Sequence, residues 1–203
     1  MIIIGLCGSS GAGKGYVCSA FKEYGIDSID TDKVYVDRIV SPNSPCLNEL
    51  RMFFGREIIN PDGSLNKKKL SERVFEGSNA GQHLKVLNTI THRYIRTDVE
   101  NTFKELREKG TKAIIVDAPV LFESGFDDMC SVTICVTSPD TLKLERIMKR
   151  DKISYEKALA RIQSQLPDER LRELCDYEII NDGKVDIDTQ VKEIIEKINF
   201  DGE

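Results

Sequence analysis

The sequence has 203 residues, of which 40% are hydrophobic and 31% are charged, as is ordinary for a globular chain with one substantial core. Its net charge of −5 and pI of about 5.3 argue against a nucleic-acid partner, because nucleic-acid-binding surfaces usually make a chain basic. Six cysteines without a C-x-x-C pair, and only two histidines, argue against a zinc site. No signal peptide or membrane-length apolar run is recognisable, so we expect a cytoplasmic protein with reduced thiols and no membrane partner.

The N-terminal stretch combines a buried strand with a glycine-rich loop. Residues 2–7 form a continuous apolar run, typical of a strand that is buried on both faces. The spacing G-x-x-x-x-G-K follows, and it is the pattern of a P-loop, whose backbone N–H groups, helix N-terminus and lysine bind phosphates. An amphipathic helix is predicted after the loop. The residues expected to bind the nucleotide here are Gly8, Ser10, Gly11, Ala12, Gly13, Lys14, Gly15 and Tyr16.

The residue after the P-loop lysine departs from the usual pattern. Gly15 stands where a Ser or Thr hydroxyl normally ligates Mg²⁺, and the phenol of Tyr16 is a poor and distant substitute. Adenylate kinases resemble this sequence at the same place, because they also have Gly after the lysine, although they continue with Thr. We therefore expect phosphoryl transfer to be retained, with Mg²⁺ held mainly by phosphates, waters and carboxylates.

A second short strand, predicted over residues 26–29, runs directly into two aspartates. Carboxylates at the C-terminal end of a strand in an open α/β sheet lie where ligands bind. For Asp30 the sequence leaves two interpretations open, a functional group or a turn and helix-cap residue. For Asp32 we favour a functional role, because a kinase that acts on an alcohol needs a base at this place.

A third strand, predicted over residues 113–116, also ends in a carboxylate, Asp117. A P-loop enzyme holds Mg²⁺ or its water shell at this position, and the missing hydroxyl at Gly15 makes this carboxylate more important. Glu123, six residues further on, is left open between a functional residue and a surface or helix-cap residue.

Residues 33–111 interrupt the alternation of strands and helices, and they are predicted to form a helical insertion. Turn signals at 41–45 and 61–64 separate its helical segments, which are expected near 46–55, 66–76 and 83–108. Lys67, Lys68 and Lys69 are interpreted as a solvated helix face. His92 and Arg96 share one face of the long helix, and the pattern leaves packing and ligand contact open for both.

A basic helical segment lies between the fourth and fifth predicted strands. Ser138, Pro139 and Asp140 are predicted to start its first helix, with the serine as N-cap. Residues 143–172 contain nine Lys or Arg and five Asp or Glu, a local net charge of +4. Small-molecule P-loop kinases carry a lid at this position. Its arginines suit phosphate oxygens, whereas Lys143 and Lys149 fit a solvated surface.

The last elements are a fifth strand over 177–180, a turn at 181–183 and a helix near 186–198. The predicted fold class is therefore α/β. It is a P-loop nucleotide kinase fold with a five-stranded parallel sheet flanked by helices, a helical substrate lobe and a helical lid, all in one domain over residues 1–203.

Seven segments of the sequence resemble the dephospho-coenzyme A kinases, and their order and spacing are close to those of the family. They are GLCGSSGAGKG at 5–15, SIDTDKV at 28–34, GREIINPDGSLNKKKLSERVF at 55–75, ITHRYIR at 90–96, VDAPVLFESG at 116–125, LERIMKRD at 144–151, and ARIQSQLPDER with IINDG at 160–183. The resemblance covers nearly the whole chain. Thr91-His92-Arg93 stands where the family usually has Leu-His-Pro, which makes the local backbone harder to predict.

The resemblance implies transfer of the γ-phosphoryl group of ATP, with Mg²⁺, to the 3′-hydroxyl of the ribose of dephospho-coenzyme A. It also implies three lobes, which by position are a nucleotide-binding core, a coenzyme A-binding helical lobe and a lid. Their predicted bounds are 1–32 with 112–138 and 175–203 for the core, 33–111 for the helical lobe and 139–174 for the lid. We expect a monomer whose partners are these two small molecules.

The family pattern also assigns roles by position. Lys14 becomes the phosphate clamp, Asp32 the base near the 3′-hydroxyl, and Arg146 the lid charge that reaches the transferred group. Arg150 and Asn181 are expected on the nucleotide side, and Asp117 at the metal. The residues expected on the acceptor side are Asp32, His92, Arg96, Phe122, Glu123 and Arg161.

Two other functions remain open on the sequence. The first is another P-loop small-molecule kinase, such as a nucleoside monophosphate kinase, which the GKG spelling favours and the insertion at 33–111 opposes. The second is a non-catalytic nucleotide-binding protein with a decayed P-loop. Only Gly15 supports it, and the intact Lys14, Asp32, Asp117 and Arg146 oppose it.

Overall fold

The computed structural model describes residues 1–76 and 79–198. The chain forms two compact units, one made of residues 1–29 and those from 109 onward, and the other of residues 30–108. The bounds predicted for the core, the helical lobe and the lid stay predictions.

The first unit is built on a five-stranded parallel sheet, as the sequence predicts. The strands are β1 (Ile2–Cys7), β2 (Ser28–Asp30), β3 (Ala113–Asp117), β4 (Val132–Thr137) and β5 (Tyr177–Ile180), in the spatial order β2-β3-β1-β4-β5. The central strand β1 pairs with β3 and β4 in parallel. Its continuous apolar sequence fits this position, since a central strand of a parallel sheet is covered on both faces.

The strand register brings the ends of β1 and β3 together. Leu6 pairs with Asp117, and Cys7 pairs with Cys135 of β4. The glycine-rich loop therefore leaves the sheet beside the carboxylate that ends β3. This edge is where ligands bind in open α/β sheets.

Two helices cover one face of this sheet. They are α1 (Lys14–Glu23), which follows the glycine-rich loop, and α9 (Ile187–Ile198) near the end of the described chain. Val17, Ala20 and Phe21 lie on one side of α1 because they are spaced three and four residues apart. They pack with Ile4, Leu6, Ile134 and Val191 into the main apolar core.

Three further helices lie between β4 and β5: α6 (Asp140–Asp151), α7 (Tyr155–Gln163) and α8 (Asp168–Leu174). The sequence predicts two of them and misses α8, which is only seven residues long and begins directly after Pro167. The assignment of Ser138 as N-cap of α6 is wrong, because Pro139 holds that position. The Ser138 hydroxyl instead donates a hydrogen bond to the Asn181 carbonyl at 2.8 Å.

The second unit is helical, as the sequence predicts for this region. Its helices are α2 (Thr31–Val34), which continues as a π-helical turn at Tyr35–Ile39, α3 (Pro45–Phe54), α4 (Lys67–Phe75) and α5 (Ala80–Glu108). Leu47, Leu50, Ile58, Val74 and Val99 are buried between them. The three consecutive lysines at the start of α4 are exposed, which confirms the interpretation as a solvated face.

Helix α5 runs without a break through Thr91, His92 and Arg93, the segment whose backbone is hard to predict from the sequence. Arg93 keeps the backbone N–H that proline lacks, so the helical ladder can continue. The Thr91 hydroxyl donates to the Leu87 carbonyl of the preceding turn at 2.8 Å. His92 therefore lies on a regular helical segment.

All six cysteines are free thiols, and the Sγ atoms of Cys7 and Cys175 lie 3.5 Å apart. Within residues 1–76 and 79–198, no helix combines the length and the apolar character that crossing a membrane requires.

Candidate active site

The conformation of the glycine-rich loop depends on Gly11 and Gly13, which other residues could replace only with backbone strain. Gly11 and Gly13 have φ angles of 81° and 99°, in the region that L-residues with side chains rarely adopt. A Cβ atom on Gly11 would lie 2.6 Å from the Lys143 carbonyl oxygen, and one on Gly13 would lie 2.0 Å from Asn181 Nδ2. The loop is therefore packed closely against both α6 and the turn after β5.

Lys14 lies along the loop at the start of α1. Its Nζ donates to the Gly8 carbonyl at 3.1 Å and lies 3.9 Å from Asp117 Oδ1. The N-cap of α1 is Gly13, whose carbonyl accepts the Tyr16 and Val17 N–H groups at 3.0 and 3.3 Å. Gly13 has no side chain that would compete with an anion for the N–H groups at the helix start. The lysine charge and the helix terminus thus come together beside one carboxylate.

Arg146 and Asn181 hold the carbonyl groups of the same loop. The Arg146 guanidinium donates to the carbonyls of Gly11 and Ala12 at 3.1 and 3.3 Å, and to the Asn181 carbonyl at 3.2 Å. The Asn181 side chain donates to the Ala12 carbonyl at 2.8 Å. Asn181, which the sequence assigns to the nucleotide side, therefore contacts the P-loop backbone directly. Arg146 does so too, and its predicted role as the lid charge that reaches the transferred group stays a prediction.

Two further arginines of the predicted lid share one carboxylate. Arg150 and Arg161 both bond to Asp151, and Arg150 Nη2 lies 3.4 Å from Ser10 Oγ of the loop. The hydrogen bond from Arg150, helped by Arg161, lowers the pKa of Asp151 to about 2. The structure thus places Arg150 at the loop, while Arg161 is exposed and bonds to Asp151.

A cavity of about 680 Å³ opens next to the loop. Gly13, Tyr16, Arg146 and Asn181 line one part of it, and residues 183–187 line the rest. Its size suits a nucleoside bound beside the phosphate loop. The sequence assignment missed residues 183–187, although the Asn-Asp-Gly turn after the fifth strand is the signal that marks them.

Asp117 is the carboxylate nearest to the P-loop lysine. Its side chain is 15% exposed and lies at the end of β3. Gly15 lies in the first turn of α1, and a Cβ atom there would meet no other atom within 4 Å. In the described part of the chain, no cluster of three or more His, Cys, Asp or Glu residues forms a protein-only metal site.

These groups fit a magnesium ion carried by a nucleotide. Mg²⁺ keeps several waters and is usually bound through one or two carboxylates and substrate phosphates. Asp117, whose Oδ1 lies 3.9 Å from Lys14 Nζ, is the carboxylate beside the loop that would hold such an ion or its waters.

Phe122 and Glu123 lie in the turn that follows Asp117. Phe122 is half-buried and Glu123 is exposed, and the Phe122 carbonyl accepts the Gly125 N–H at 3.1 Å. Both side chains belong to the first unit, on the segment that continues from β3.

In the second unit, Asp30 at the end of β2 and Asp32 just after it have different surroundings. Asp30 Oδ1 accepts the backbone N–H groups of Asp32 and Lys33 at 3.0 and 3.1 Å, so Asp30 is the N-cap of α2. This is the cap interpretation that the sequence leaves open. Asp32 is exposed in the first turn of that helix.

His92 and Arg96 lie one turn apart on α5. His92 is half-buried, and burial lowers the pKa of its imidazole, which favours the neutral ring. Arg96 Nε donates to Glu100 Oε1 at 3.1 Å. A neutral imidazole can both donate and accept a hydrogen bond, which suits recognition of a polar uncharged group.

The interpretation of Lys143 as a solvated residue is wrong, whereas it holds for Lys149, which is exposed. Lys143 is 3% exposed, and its Nζ donates to Asp168 Oδ2 at 3.0 Å. Gln165 was also not assigned to the site, yet its Oε1 accepts the Ser10 N–H of the loop at 2.8 Å. No local pattern predicts these pairs, because their members are far apart in sequence.

The loop geometry predicts different outcomes for two adjacent glycine positions. Gly13→Ala forces a side chain into a φ of 99° and against Asn181, so we expect at least a tenfold loss of ATP affinity. Gly15→Ala adds a methyl group to an open helical position and keeps the backbone N–H, so the affinity should change by less than about threefold. Isothermal titration calorimetry with MgATP measures both, and equal affinities in the two variants would contradict the description of the loop.

Comparison with known proteins bears directly on this site. The family model described as dephospho-CoA kinase matches residues 2–186. A protein named dephospho-CoA kinase from Moorella thermoacetica is 37% identical over 166 residues, covering 81% of this chain and 76% of the relative.

Two solved structures are similar over nearly their whole lengths. One is the protein TT1252 from Thermus thermophilus, with a TM-score of 0.83, 25% identity, and coverage of 98% of this chain and 97% of that one. The other is a dephospho-CoA kinase from Campylobacter jejuni, with a TM-score of 0.68, 28% identity, and coverage of 97% and 96%. By family match, identity and fold, the chain belongs to the dephospho-CoA kinase family.

Proposed function

We propose that this chain catalyses the ATP-dependent phosphorylation of dephospho-coenzyme A at the ribose 3′-hydroxyl, giving coenzyme A and ADP in the last step of coenzyme A synthesis. The observation that carries the proposal is a formed phosphate loop, with Lys14 in place, in a chain of the dephospho-CoA kinase family. The thiols are free, which supports a cytoplasmic enzyme, and we expect it to act as a monomer.

On the nucleotide side, the protein forms no covalent bond to the phosphoryl group and acts by positioning it and stabilising its charge. The loop N–H groups and the N-terminus of α1 bind the β- and γ-phosphates, and the Lys14 ammonium neutralises the charge that develops on the transferred group. Arg146 keeps the loop carbonyls turned outward, and Arg150 adds positive charge near Ser10. A bound Mg²⁺ supplies charge neutralisation at the phosphates, and Asp117 is the residue that would hold it or its waters.

On the acceptor side, we propose that Asp32 accepts the proton of the 3′-hydroxyl. It is an exposed carboxylate whose helix is fixed by the Asp30 cap. The neutral His92 and the cation of Arg96 are proposed to bind the acceptor, together with Phe122, Glu123 and Arg161. These assignments rest on the family pattern and on the chemistry of each group.

The acceptor specificity tests the proposed function directly. With MgATP, we expect kcat/KM measured by ADP release to be at least about 100-fold higher for dephospho-coenzyme A than for AMP, CMP or UMP. The smaller acceptors leave polar groups of the site unpaired, which costs several kcal/mol. Mass spectrometry of the product should show one added phosphoryl group on the 3′-oxygen. A preference for a nucleoside monophosphate would establish a different P-loop kinase, and ATP binding without turnover would establish a non-catalytic protein.

Asp30 and Asp32 provide a matched pair of variants. Asp32→Asn removes the proposed base, so kcat should fall about 10²-fold, near the lower end for positioned proton transfer because the transition state is loose. Asp30→Asn should change kcat far less, since asparagine caps helices as well as aspartate does. The ATP dissociation constant should stay within about twofold in both variants. If Asp30→Asn loses kcat while Asp32→Asn keeps it, the base is assigned to the wrong carboxylate.

A further inference from the structure

Three side chains form a buried polar cluster beside the P-loop. Lys143 Nζ donates to Asp168 Oδ2 at 3.0 Å and to Ser9 Oγ at 3.2 Å, and the Ser9 hydroxyl donates to Asp168 Oδ1 at 3.1 Å. The Ser138 backbone N–H donates to Asp168 Oδ2 at 3.4 Å. Asp140 Oδ1 lies 2.7 Å from Lys143 Nζ on the side open to solvent.

The cluster is almost completely removed from water. Ser9 is 4% exposed, Lys143 3% and Asp168 8%, whereas the Asp140 side chain is 71% exposed. Burying a lysine and a carboxylate is costly, and it is tolerated here because each charge faces the other and the remaining oxygen and hydrogen positions are used. A buried ion pair of this kind contributes little net stability to a fold, so we consider which groups it holds in position.

The cluster joins three places that are far apart in sequence. Ser9 lies within the P-loop, Lys143 in the first turns of α6, and Asp168 at the first residue of α8. The Lys143–Asp168 pair therefore connects the first and last helices of the segment 139–174. The Ser9 hydroxyl bonds to both residues and so joins this pair to the phosphate loop.

The loop backbone around Ser9 is in contact with the same segment. The Gln165 side chain accepts the Ser10 N–H at 2.8 Å, and a Cβ atom on Gly11 would lie 2.6 and 2.9 Å from the carbonyl oxygen and Cα of Lys143. A shift of α6 or α8 relative to the sheet would thus move the loop backbone as well. The conformation of the loop depends on where Lys143 and Asp168 hold these helices.

We propose that Ser9, Lys143 and Asp168 are positioning residues for nucleotide binding. Together they keep the P-loop backbone in its phosphate-binding conformation and set the position of segment 139–174 on it. None of the three is a catalytic residue, because the Lys143 charge is directed at Asp168 and Asp140, and the Ser9 hydroxyl at Asp168. The proposal rests on the proposed function only in taking ATP as the ligand of the loop.

The two carboxylates that contact Lys143 give a matched test. Asp168→Asn and Asp140→Asn make the same chemical change, one in the buried cluster and one at the surface. For Asp168→Asn we expect MgATP to bind about tenfold more weakly, with kcat at saturating ATP changed less than about threefold. For Asp140→Asn we expect the dissociation constant to stay within about twofold, because the Asp140 side chain is 71% exposed and Lys143 keeps its buried partner Asp168.

Loss of stability needs to be separated from loss of positioning. Lys143→Met alone leaves a buried carboxylate without its cation and should lower the melting temperature by about 10 °C, whereas the double variant K143M/D168L should recover most of that loss. The double variant should still bind MgATP about tenfold more weakly, since Ser9 has lost both of its partners. Recovery of stability together with wild-type ATP affinity would overturn the proposal.

Ser9→Ala decides the question if a charged-pair variant does not fold. It keeps Lys143 and Asp168 together and removes only the hydrogen bonds that they make with the Ser9 hydroxyl, so we expect a melting temperature within about 3 °C of wild type and at least threefold weaker MgATP binding. Unchanged binding in a folded Ser9→Ala protein overturns the proposal. Calorimetry with MgATP alone keeps this test independent of the acceptor, so an enzyme that fails to phosphorylate dephospho-coenzyme A leaves the result valid.

Discussion

Arg146 and Asn181 bind the outward-facing carbonyl groups of Gly11 and Ala12, and the rest of the site depends on this interaction. A P-loop binds phosphate through backbone N–H groups, which can converge only if the alternating carbonyls are turned away and satisfied elsewhere. The guanidinium and the amide satisfy them from α6 and from the turn after β5. The register of the parallel sheet also contributes, because it sets the loop beside Asp117, the carboxylate that we propose to hold a nucleotide-bound metal or its waters.

The segment 139–174 has only a small apolar core of its own. Leu144, Ile147 and Ala158 are buried between α6 and α7, whereas the core under the sheet joins residues of four strands and two helices. A region with few buried apolar contacts opens at lower free energy than the main core. The attachment of this segment to the loop is instead largely polar, through Arg146, Gln165 and the Lys143–Asp168 pair, so directed hydrogen bonds set its position on the loop.

The features that were predictable from sequence are local ones. The glycine spacing before Lys14 predicts the loop because glycine permits the positive φ angles that such a loop requires. The apolar runs predict the strands because a parallel sheet is covered on both faces. The N-cap at Asp30 was one of two local possibilities, and only the structure distinguishes them. Lys143 with Asp168, and Gln165 with Ser10, were not predictable, since their contacts arise only when the ends of a long segment meet at the loop. Helix α8 was not predicted because its seven residues are too few to show an amphipathic period.

We propose that the loop around Lys14 delivers the γ-phosphoryl group of ATP to dephospho-coenzyme A. This role is tested by the steady-state rate of transfer to this acceptor by wild type and by Lys14→Ala, which keeps the helix start but removes the charge beside Gly8 and Asp117. We expect a loss of about 10²–10³-fold in kcat, the usual effect of removing one electrostatic contact to a transition state, with weaker ATP binding as well. A Lys14→Ala variant with nearly normal kcat and KM would contradict this role of the loop.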